Sequence, residues 1–141
     1  MQNSGAMRKF AFLLPLILSC TTTVTPTAPS AHVARMWRGE VPLARADEYQ
    51  TYLAAEGLAK LRSIRGNLGV QMFRRTVGDR EEFVVISYWP DEQTIRAYAG
   101  DDVLRARLMP RDPEFLINPY THVRHYRIEV DRNQTLRTGP R

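Results

Sequence analysis

The sequence EFVVISYWPDEQTIRAYAG, residues 82–100, combines a strand with a helix that follows it directly. Residues 83–86 form a short apolar run rich in β-branched side chains, which is typical of a strand. Because this run is apolar on both faces, it predicts a sheet that is covered on both sides. The strand ends at Tyr88 and Trp89, since Pro90 cannot donate a hydrogen bond to a neighbouring strand.

The second half of the stretch predicts a helix with one buried side. Asp91 suits the N-cap position, and Gly100 suits the residue that follows the C-terminus. Ile95 and Tyr98 recur at helical spacing, which gives the helix a single apolar stripe. Trp89 is therefore predicted to lie between the strand end and the helix start, a position that favours a role in a pocket wall.

Length and composition restrict the class of protein. With 141 residues and 43% hydrophobic residues, the chain can form one globular domain with terminal extensions. The formal net charge is +5, but the basic residues are dispersed among acidic ones, whereas a nucleic-acid interface requires a concentrated basic face. We therefore predict no nucleic-acid partner. The single cysteine excludes an internal disulfide.

Residues 1–19 are predicted to be a lipoprotein signal peptide. A basic pair precedes an apolar run at residues 10–18, which is too short to span a bilayer stably. The run continues into ILSC, which resembles a bacterial lipobox and predicts cleavage before Cys20, with lipid attached to that cysteine. An ordinary signal peptide with an incidental cysteine is the alternative. Either Met1 or Met7 can be the start.

Both ends of the globular domain are predicted to carry flexible extensions. Residues 20–32 are rich in Thr, Pro and Ala, which predicts a tether, and residues 131–141 are polar and are expected to be disordered. Lipid on Cys20 together with this tether predicts a bacterial envelope protein that faces the periplasm. The threonines after the cysteine favour the outer membrane over the inner membrane, by resemblance to enteric sorting rules.

The domain at residues 33–130 has the predicted order β-α-β-β-α-β. Its strands are predicted at residues 33–41, 70–77, 82–89 and 121–130, and its helices at residues 44–62 and 91–100, with a further helical piece at 101–108. Two split βαβ units in this order give a ferredoxin-like α+β fold, a four-stranded antiparallel sheet with helices on one face. The second face is expected to carry Trp37 and Phe73 and requires a cover, which predicts a symmetric homodimer.

Residues 33–130 resemble the antibiotic biosynthesis monooxygenase (ABM) family of dimeric α/β-barrel proteins. The resemblance rests on the order of five short motifs: MWRG at residues 36–39, GNLG at 66–69, YW at 88–89, AYAG at 97–100 and HY at 125–126. It implies a pocket between the sheet and its helices, with Trp89 in the pocket wall. Relatives include enzymes that oxidise phenols to quinones with O₂ and no cofactor, haem-degrading enzymes, and proteins without an established activity.

Two departures from the family pattern disfavour haem degradation. The haem-degrading branch uses a His in the second helix as iron ligand, and residues 91–109 contain no His. That branch also uses an Asn on the first strand, and residues 33–41 contain none. In addition, residues 110–120 lengthen the usual link to the last strand.

His125 is the predicted catalytic base. It is expected mid-strand on the face shared with Val123, and an imidazole titrates near neutral pH, as a base for a phenolic proton should. A structural His that is hydrogen-bonded within the sheet is the alternative. His122 is predicted to point to the opposite face, so the two imidazoles form no metal site.

Three further side chains are predicted to contact a substrate. Trp89 and Trp37 are expected to form aromatic walls, with packing in the core or at a dimer interface as the alternative. Arg38 is expected to orient an anionic substrate or to stabilise a developing negative charge. An ion pair with a neighbouring acid is the alternative role of Arg38.

The sequence therefore predicts a lipid-anchored, ABM-like protein that oxidises a small aromatic or phenolic compound with O₂ and uses no metal or organic cofactor. The alternative is a non-catalytic lipoprotein of the same fold that binds a small apolar ligand or a partner protein. An RNA-binding module on the same topology is excluded, because the third strand lacks the aromatic and basic RNP signature.

Overall fold

The computed structural model of the chain describes residues 31–129. The predicted signal peptide at residues 1–19, the predicted lipidation site Cys20 and the predicted tail at residues 131–141 lie outside this range, as does most of the predicted tether. Within the described range, no helix has the length and hydropathy needed to cross a bilayer.

The described chain follows the predicted order β-α-β-β-α-β, with one additional short helix, α4, before the last strand. The elements are β1 (Val33–Pro42), α1 (Ala46–Tyr52), α2 (Ala59–Ser63), β2 (Gly69–Val77), β3 (Arg80–Trp89), α3 (Glu92–Ala99), α4 (Asp112–Phe115) and β4 (Arg124–Arg127). A 3₁₀ turn at Leu43–Arg45 precedes α1, and a π-helical segment at Leu53–Leu58 joins α1 to α2. The predicted first helix is therefore one helical region with a π segment in its middle.

The four strands form one sheet in the order β2-β3-β1-β4, and every neighbouring pair is antiparallel. Helices pack on one face of this sheet. This confirms the predicted ferredoxin-like α+β fold. The two central strands, β1 and β3, position most of the cavity described below.

Local sequence signals account for the turns and caps. The Asp91 carboxylate accepts a hydrogen bond from the Thr94 backbone N–H at 2.7 Å, as expected of an N-cap. Gly100 ends α3 with a φ of 80°, and Gly78 forms the β2–β3 turn with a φ of 62°. Both angles lie in the region that glycine adopts without strain.

The core consists of two clusters between the helices and the sheet. The larger one is aromatic at its centre, where the Tyr49 ring lies 5.2 Å from the ring of Phe83 and 5.2 Å from that of Phe115. The smaller one joins Trp89 to Ile95 of α3. Together the clusters fix α1 and α3 over the same face of the sheet.

Residues 101–108 are not helical, and this prediction was wrong. The Asp102 carboxylate accepts a hydrogen bond from the Leu104 backbone N–H at 3.2 Å, a local bond that competes with helix formation. The segment instead pairs with the chain that precedes β4: the Val123 N–H donates to the Leu104 carbonyl at 2.8 Å. That pairing also explains why β4 begins at Arg124, later than predicted.

The two faces of the sheet differ in their cover. On β3, Phe83 and Val85 are buried under the helices, whereas Val84 and Ile86 point to the other face and stay partly exposed. We call this second side the open face. The prediction that both faces of β3 are covered therefore depends on the predicted second copy of the chain. Trp37 was expected on the open face, but it packs against the helix-side core.

Candidate functional site

A cavity of about 560 Å³ lies between the sheet and its helices. Its volume is within the range of small-molecule binding sites. The sheet supplies one wall of the cavity. The second wall consists of α1, the π segment, α2 and α3, and the third consists of residues 107–112, which end at the start of α4. The principal lining residues are Arg35, Trp37, Val85 and Ser87 from the sheet, Tyr52, Leu53, Leu61 and Tyr98 from the helices, and Arg107, Met109 and Asp112 from the third wall.

Arg35 and Asp112 both line the cavity, and we infer from the strand register that they lie at its two ends. Asp112 bonds Tyr49, whose ring contacts Phe83. Phe83 lies opposite Gly39 in the sheet register. Gly39 is four residues after Arg35, a separation of about 13 Å along the strand. The Trp37 indole occupies the space between, over Gly39, where a Cβ would lie 2.5 Å from the ring.

Arg35 is buried, with 5% of its surface exposed. Its Nη1 donates to the Val103 carbonyl and, over 3.0 Å, to the His125 ring, and its Nη2 donates to the Arg105 carbonyl at 2.8 Å. All three partners are neutral groups. Burial lowers the pKa of Arg35, and Arg107 lowers it further, while Tyr98 and Asp102 act in the opposite direction.

His125 is held between a guanidinium and a carboxylate. Its Nε2 lies 3.0 Å from Arg35 Nη1, and its Nδ1 lies 3.1 Å from the Glu92 carboxylate. Because a guanidinium only donates hydrogen bonds, Nε2 must accept, and the ring proton therefore belongs on Nδ1, where it is donated to Glu92. Both ring nitrogens are thus engaged, and the imidazole fixes the position of Arg35.

Asp112 is a buried carboxylate in the wall of the cavity, with 3% of its surface exposed. It accepts hydrogen bonds from the Met109 backbone N–H at 2.7 Å and from the Tyr49 hydroxyl at 3.1 Å. Burial raises the pKa of Asp112, while these two hydrogen bonds act against that shift. A buried carboxyl with a raised pKa next to a cavity is suited to accept a proton.

Comparison with known proteins identifies the family. The profile of the antibiotic biosynthesis monooxygenase family matches residues 33–106, just over half of the chain. The chain belongs to the ABM family. Its match ends before Asp112 and His125, so the family profile does not include either residue.

Two solved structures share this ABM fold at low sequence identity. A putative antibiotic biosynthesis monooxygenase from Bacillus cereus has a TM-score of 0.51 and 14% identity, over 72% of this chain and 97% of that chain. A protein of unknown function from Nitrosomonas europaea has a TM-score of 0.55 and 18% identity, over 74% of this chain and 95% of that chain. No curated protein matches the chain.

Within this ABM domain, the two tryptophans have different positions. Trp37 lines the cavity, as expected. Trp89 is fully buried and does not line it: the indole lies behind Tyr98, with ring centroids 6.1 Å apart and planes 10° apart. Its Nε1 donates to Ser87 Oγ at 2.9 Å. Trp89 therefore supports two residues of the wall, Tyr98 and Ser87, from a second layer.

The other two predicted site residues also lie outside the ABM cavity. Arg38 points to the open face, where its guanidinium lies 3.4 Å from Glu40, 3.6 Å from Glu82 and 4.4 Å from the centre of the Tyr120 ring. This is the ion-pair arrangement that the sequence left as the alternative. His125 borders a separate depression of about 340 Å³ and reaches the cavity only through Arg35.

Three cavity residues were not selected from the sequence. Arg35 shares a strand face with Trp37, so strand periodicity could have selected it. Tyr98 was assigned to the core, and it borders both the core and the cavity. Asp112 begins α4, in a stretch at residues 110–120 that the sequence did not predict to be helical. Among residues 31–129, no group of His, Cys, Asp and Glu side chains is arranged to hold a metal ion.

Proposed function

We propose that this ABM domain is a cofactor-independent oxygenase that converts a small phenolic compound into a quinone with O₂. One observation carries the proposal: an aromatic-walled cavity has a buried guanidinium at one end and a buried carboxyl at the other. The family match supports a small-molecule site, because its members bind small molecules. A cavity of this volume accommodates a fused-ring phenol.

The two polar ends have separate tasks. Asp112 accepts the phenolic proton, and its raised pKa brings it closer to the pKa of a phenol. Arg35 stabilises the negative charge that spreads through the ring system when that proton leaves. Trp37 and Tyr98 hold the ring system between these ends by offset aromatic contacts.

Oxygen then reacts with the electron-rich ring carbon. The phenolate carbon forms a C–O bond with O₂, and protonation of the distal oxygen by the Asp112 carboxylic acid gives a hydroperoxide. Loss of the C–H proton from that carbon, with cleavage of the O–O bond, releases water and leaves the second carbonyl of the quinone. One phenol and one O₂ thus give one quinone and one water, and no external reductant is consumed.

The role of His125 as the base remains a prediction, and the geometry favours a positioning role instead. To accept a substrate proton, the Nε2 of His125 would have to release Arg35. We propose that Glu92 and His125 hold the guanidinium in place. In the variant His125→Gln, an amide oxygen can still accept from Arg35, but no titratable nitrogen remains.

The deciding experiment measures oxygen uptake by the full-length protein, without added cofactor, on a panel of anthrones, hydroxynaphthalenes and hydroquinones. Uptake above the autoxidation blank supports the oxygenase. Uptake that survives in His125→Gln but not in His125→Leu supports the positioning role, and uptake lost in both supports the predicted base. Uptake equal to the blank for every compound leaves the alternative, a protein that only binds its ligand.

We also propose that the open face is covered by a second copy of the chain. It carries partly exposed apolar side chains on both edge strands, with 49% of Phe73 on β2 and 47% of Tyr126 on β4 accessible. A face of this kind in a four-stranded sheet is stabilised by packing against another sheet. ABM family members are often dimeric, which agrees with this proposal.

Lipid anchoring through Cys20 remains a proposal from the sequence, and with it the periplasm-facing location in the cell envelope. Its test is metabolic labelling with a radioactive fatty acid in a bacterial host. Label that is incorporated into the wild type but not into Cys20→Ser supports the anchor. Incorporation by neither protein, with export intact, supports the ordinary signal peptide.

A further inference from the structure

The Arg35 end of the cavity holds a positive charge that no carboxylate contacts directly, and Asp102 acts on it only through space. Every hydrogen bond of this guanidinium goes to a neutral group, and no carboxylate within residues 31–129 forms an ion pair with it. A buried charge is strongly disfavoured unless an opposite charge accompanies it. A ligand in the adjoining cavity can supply that opposite charge.

We propose that the cavity selects aromatic anions, and that a carboxylate of the ligand binds Arg35. The proposal deepens the proposed function and rests on it for the choice of this cavity. It names the substrate class: a fused-ring phenol that also carries an acidic group, with the phenol toward Asp112 and the acidic group toward Arg35.

The unused donors of Arg35 suit a carboxylate. Its Nε–H and one Nη2–H have no partner among the described residues. Two N–H groups of one guanidinium can bind both oxygens of a carboxylate, in short charge-assisted hydrogen bonds. Arg35 lines the cavity, so these oxygens have access to it from the ligand side.

Arg35 is also held in position before any ligand arrives. Carbonyls of Val103 and Arg105 fix one side of the guanidinium, and His125, itself bonded to Glu92, fixes another. A preorganised donor loses little conformational freedom when it binds, so more of the interaction contributes to affinity. The same arrangement prevents the guanidinium from turning away toward an exposed acid.

The rest of the cavity is compatible with an anion. Basic residues outnumber acidic ones in its lining, four to two: Arg35, Lys60, Arg107 and Arg111 against Glu56 and Asp112. Lys60 forms no ion pair within residues 31–129. The carboxyl of Asp112 lies at the opposite end, so it does not neutralise Arg35. An anionic group therefore favours one orientation of the ligand, with its acidic group away from Asp112.

The test compares two ligands with the same ring system and no phenolic proton: 2-naphthoate, which is an anion at pH 7, and 2-naphthalenemethanol, which is neutral. Their dissociation constants are measured by calorimetry with the full-length protein. We expect 2-naphthoate to bind roughly 10- to 100-fold more tightly, as for a hydrogen bond to a charged group. The preference should disappear in Arg35→Gln, shrink in Arg35→Lys and persist in Arg38→Gln.

Equal affinities of the wild type for the two ligands would overturn the proposal, even if Arg35→Gln does not fold. A preference that persists in Arg35→Gln and disappears in Arg38→Gln would overturn it too, because the anion would then bind on the open face. The result is separate from oxygen uptake, since neither ligand can be oxidised by the proposed route. An anion preference without uptake of O₂ by any phenol refutes the oxygenase alone, and uptake with equal affinities refutes the anion site alone.

Discussion

Arg35 and Arg38 lie on the same strand, but they have opposite environments. Arg35 points toward the helices, is 5% exposed and has only neutral partners, whereas Arg38 points to the open face and lies beside two glutamates. A charge that is already paired contributes to the structure, and a buried charge that is unpaired is available to a ligand. The side of the strand, more than the residue type, therefore determines which of the two arginines has direct acidic contacts.

The largest expected effect is a loss of activity when a buried acid on the helix side of the sheet is replaced, compared with a buried acid on the open face. Asp112→Asn should lower kcat for oxygen consumption by roughly 10²- to 10⁴-fold, as for the loss of a general base. An amide can still accept from Met109 N–H and donate to the Tyr49 oxygen, so the local structure should persist. Initial rates of oxygen uptake with a hydroxynaphthoate give the measurement.

The matched control for that variant is Glu82→Gln. Glu82 is also buried, at 7% exposure, but it pairs with Arg38 and Arg75 on the open face. It should keep the wild-type kcat. Equal losses in Asp112→Asn and Glu82→Gln would show that the two sides do not differ in catalysis.

The second effect tests the open face as an interface between two copies. Phe73→Glu should raise the dissociation constant of the dimer about 30-fold or more, because it replaces an exposed apolar side chain of that face with a charge. Sedimentation velocity over a range of concentrations gives the constant. Leu104→Glu changes a side chain of similar exposure, 43%, that lies off the sheet, and it should leave the dimer intact. A wild-type protein that is monomeric at every concentration would contradict the proposal that a second copy covers the open face.

A third prediction separates the two tryptophans. Trp37 lines the cavity, and Trp89 lies behind Tyr98, so a bound ligand should quench the fluorescence of Trp37 much more than that of Trp89. Titration of 2-naphthoate into Trp89→Phe should therefore retain most of the wild-type quenching. The same titration into Trp37→Phe should lose most of it. The reverse pattern would place the ligand beside Trp89.

The smallest expected effect concerns pH and stability. Burial raises the pKa of Asp112 above the ordinary value of 3.8, so the folded state binds more protons than the unfolded state above that pH. Asp112 therefore favours folding at low pH and loses this contribution as pH rises through its folded-state pKa. Asp112→Asn should be more stable than the wild type by a few degrees in Tm at pH 7. This gain should shrink toward pH 4, and thermal unfolding by circular dichroism at several pH values tests it.

The fold was predictable because its signals are local. The Asp91 cap, the Gly78 turn and the end of α3 at Gly100 each depend on a few consecutive residues. The helix predicted at 101–108 is absent because hydrogen bonds to a distant segment determine the structure there: the backbone pairs with the chain before β4. Strand pairing between distant segments has no counterpart in local periodicity.

The site was predictable only in part. Strand periodicity correctly grouped Arg35 with Trp37, but it could not show that the helices cover this face. Asp112, at the start of α4, hydrogen-bonds Tyr49, which is far from it in the sequence, and no local pattern indicates that contact. Trp89 was predicted to line the cavity because of its position at the end of β3. The Tyr98 ring stacks on it and lies between the indole and the cavity.

The most direct test is a crystal structure of the full-length protein with 6-hydroxy-2-naphthoate, whose phenol and carboxylate lie at opposite ends of the ring system, prepared without oxygen so that the ligand persists. We expect the naphthalene ring between Trp37 and Tyr98, with its carboxylate roughly 3 Å from the guanidinium of Arg35. A ligand on the open face beside Arg38, or in the depression beside His125, would contradict it.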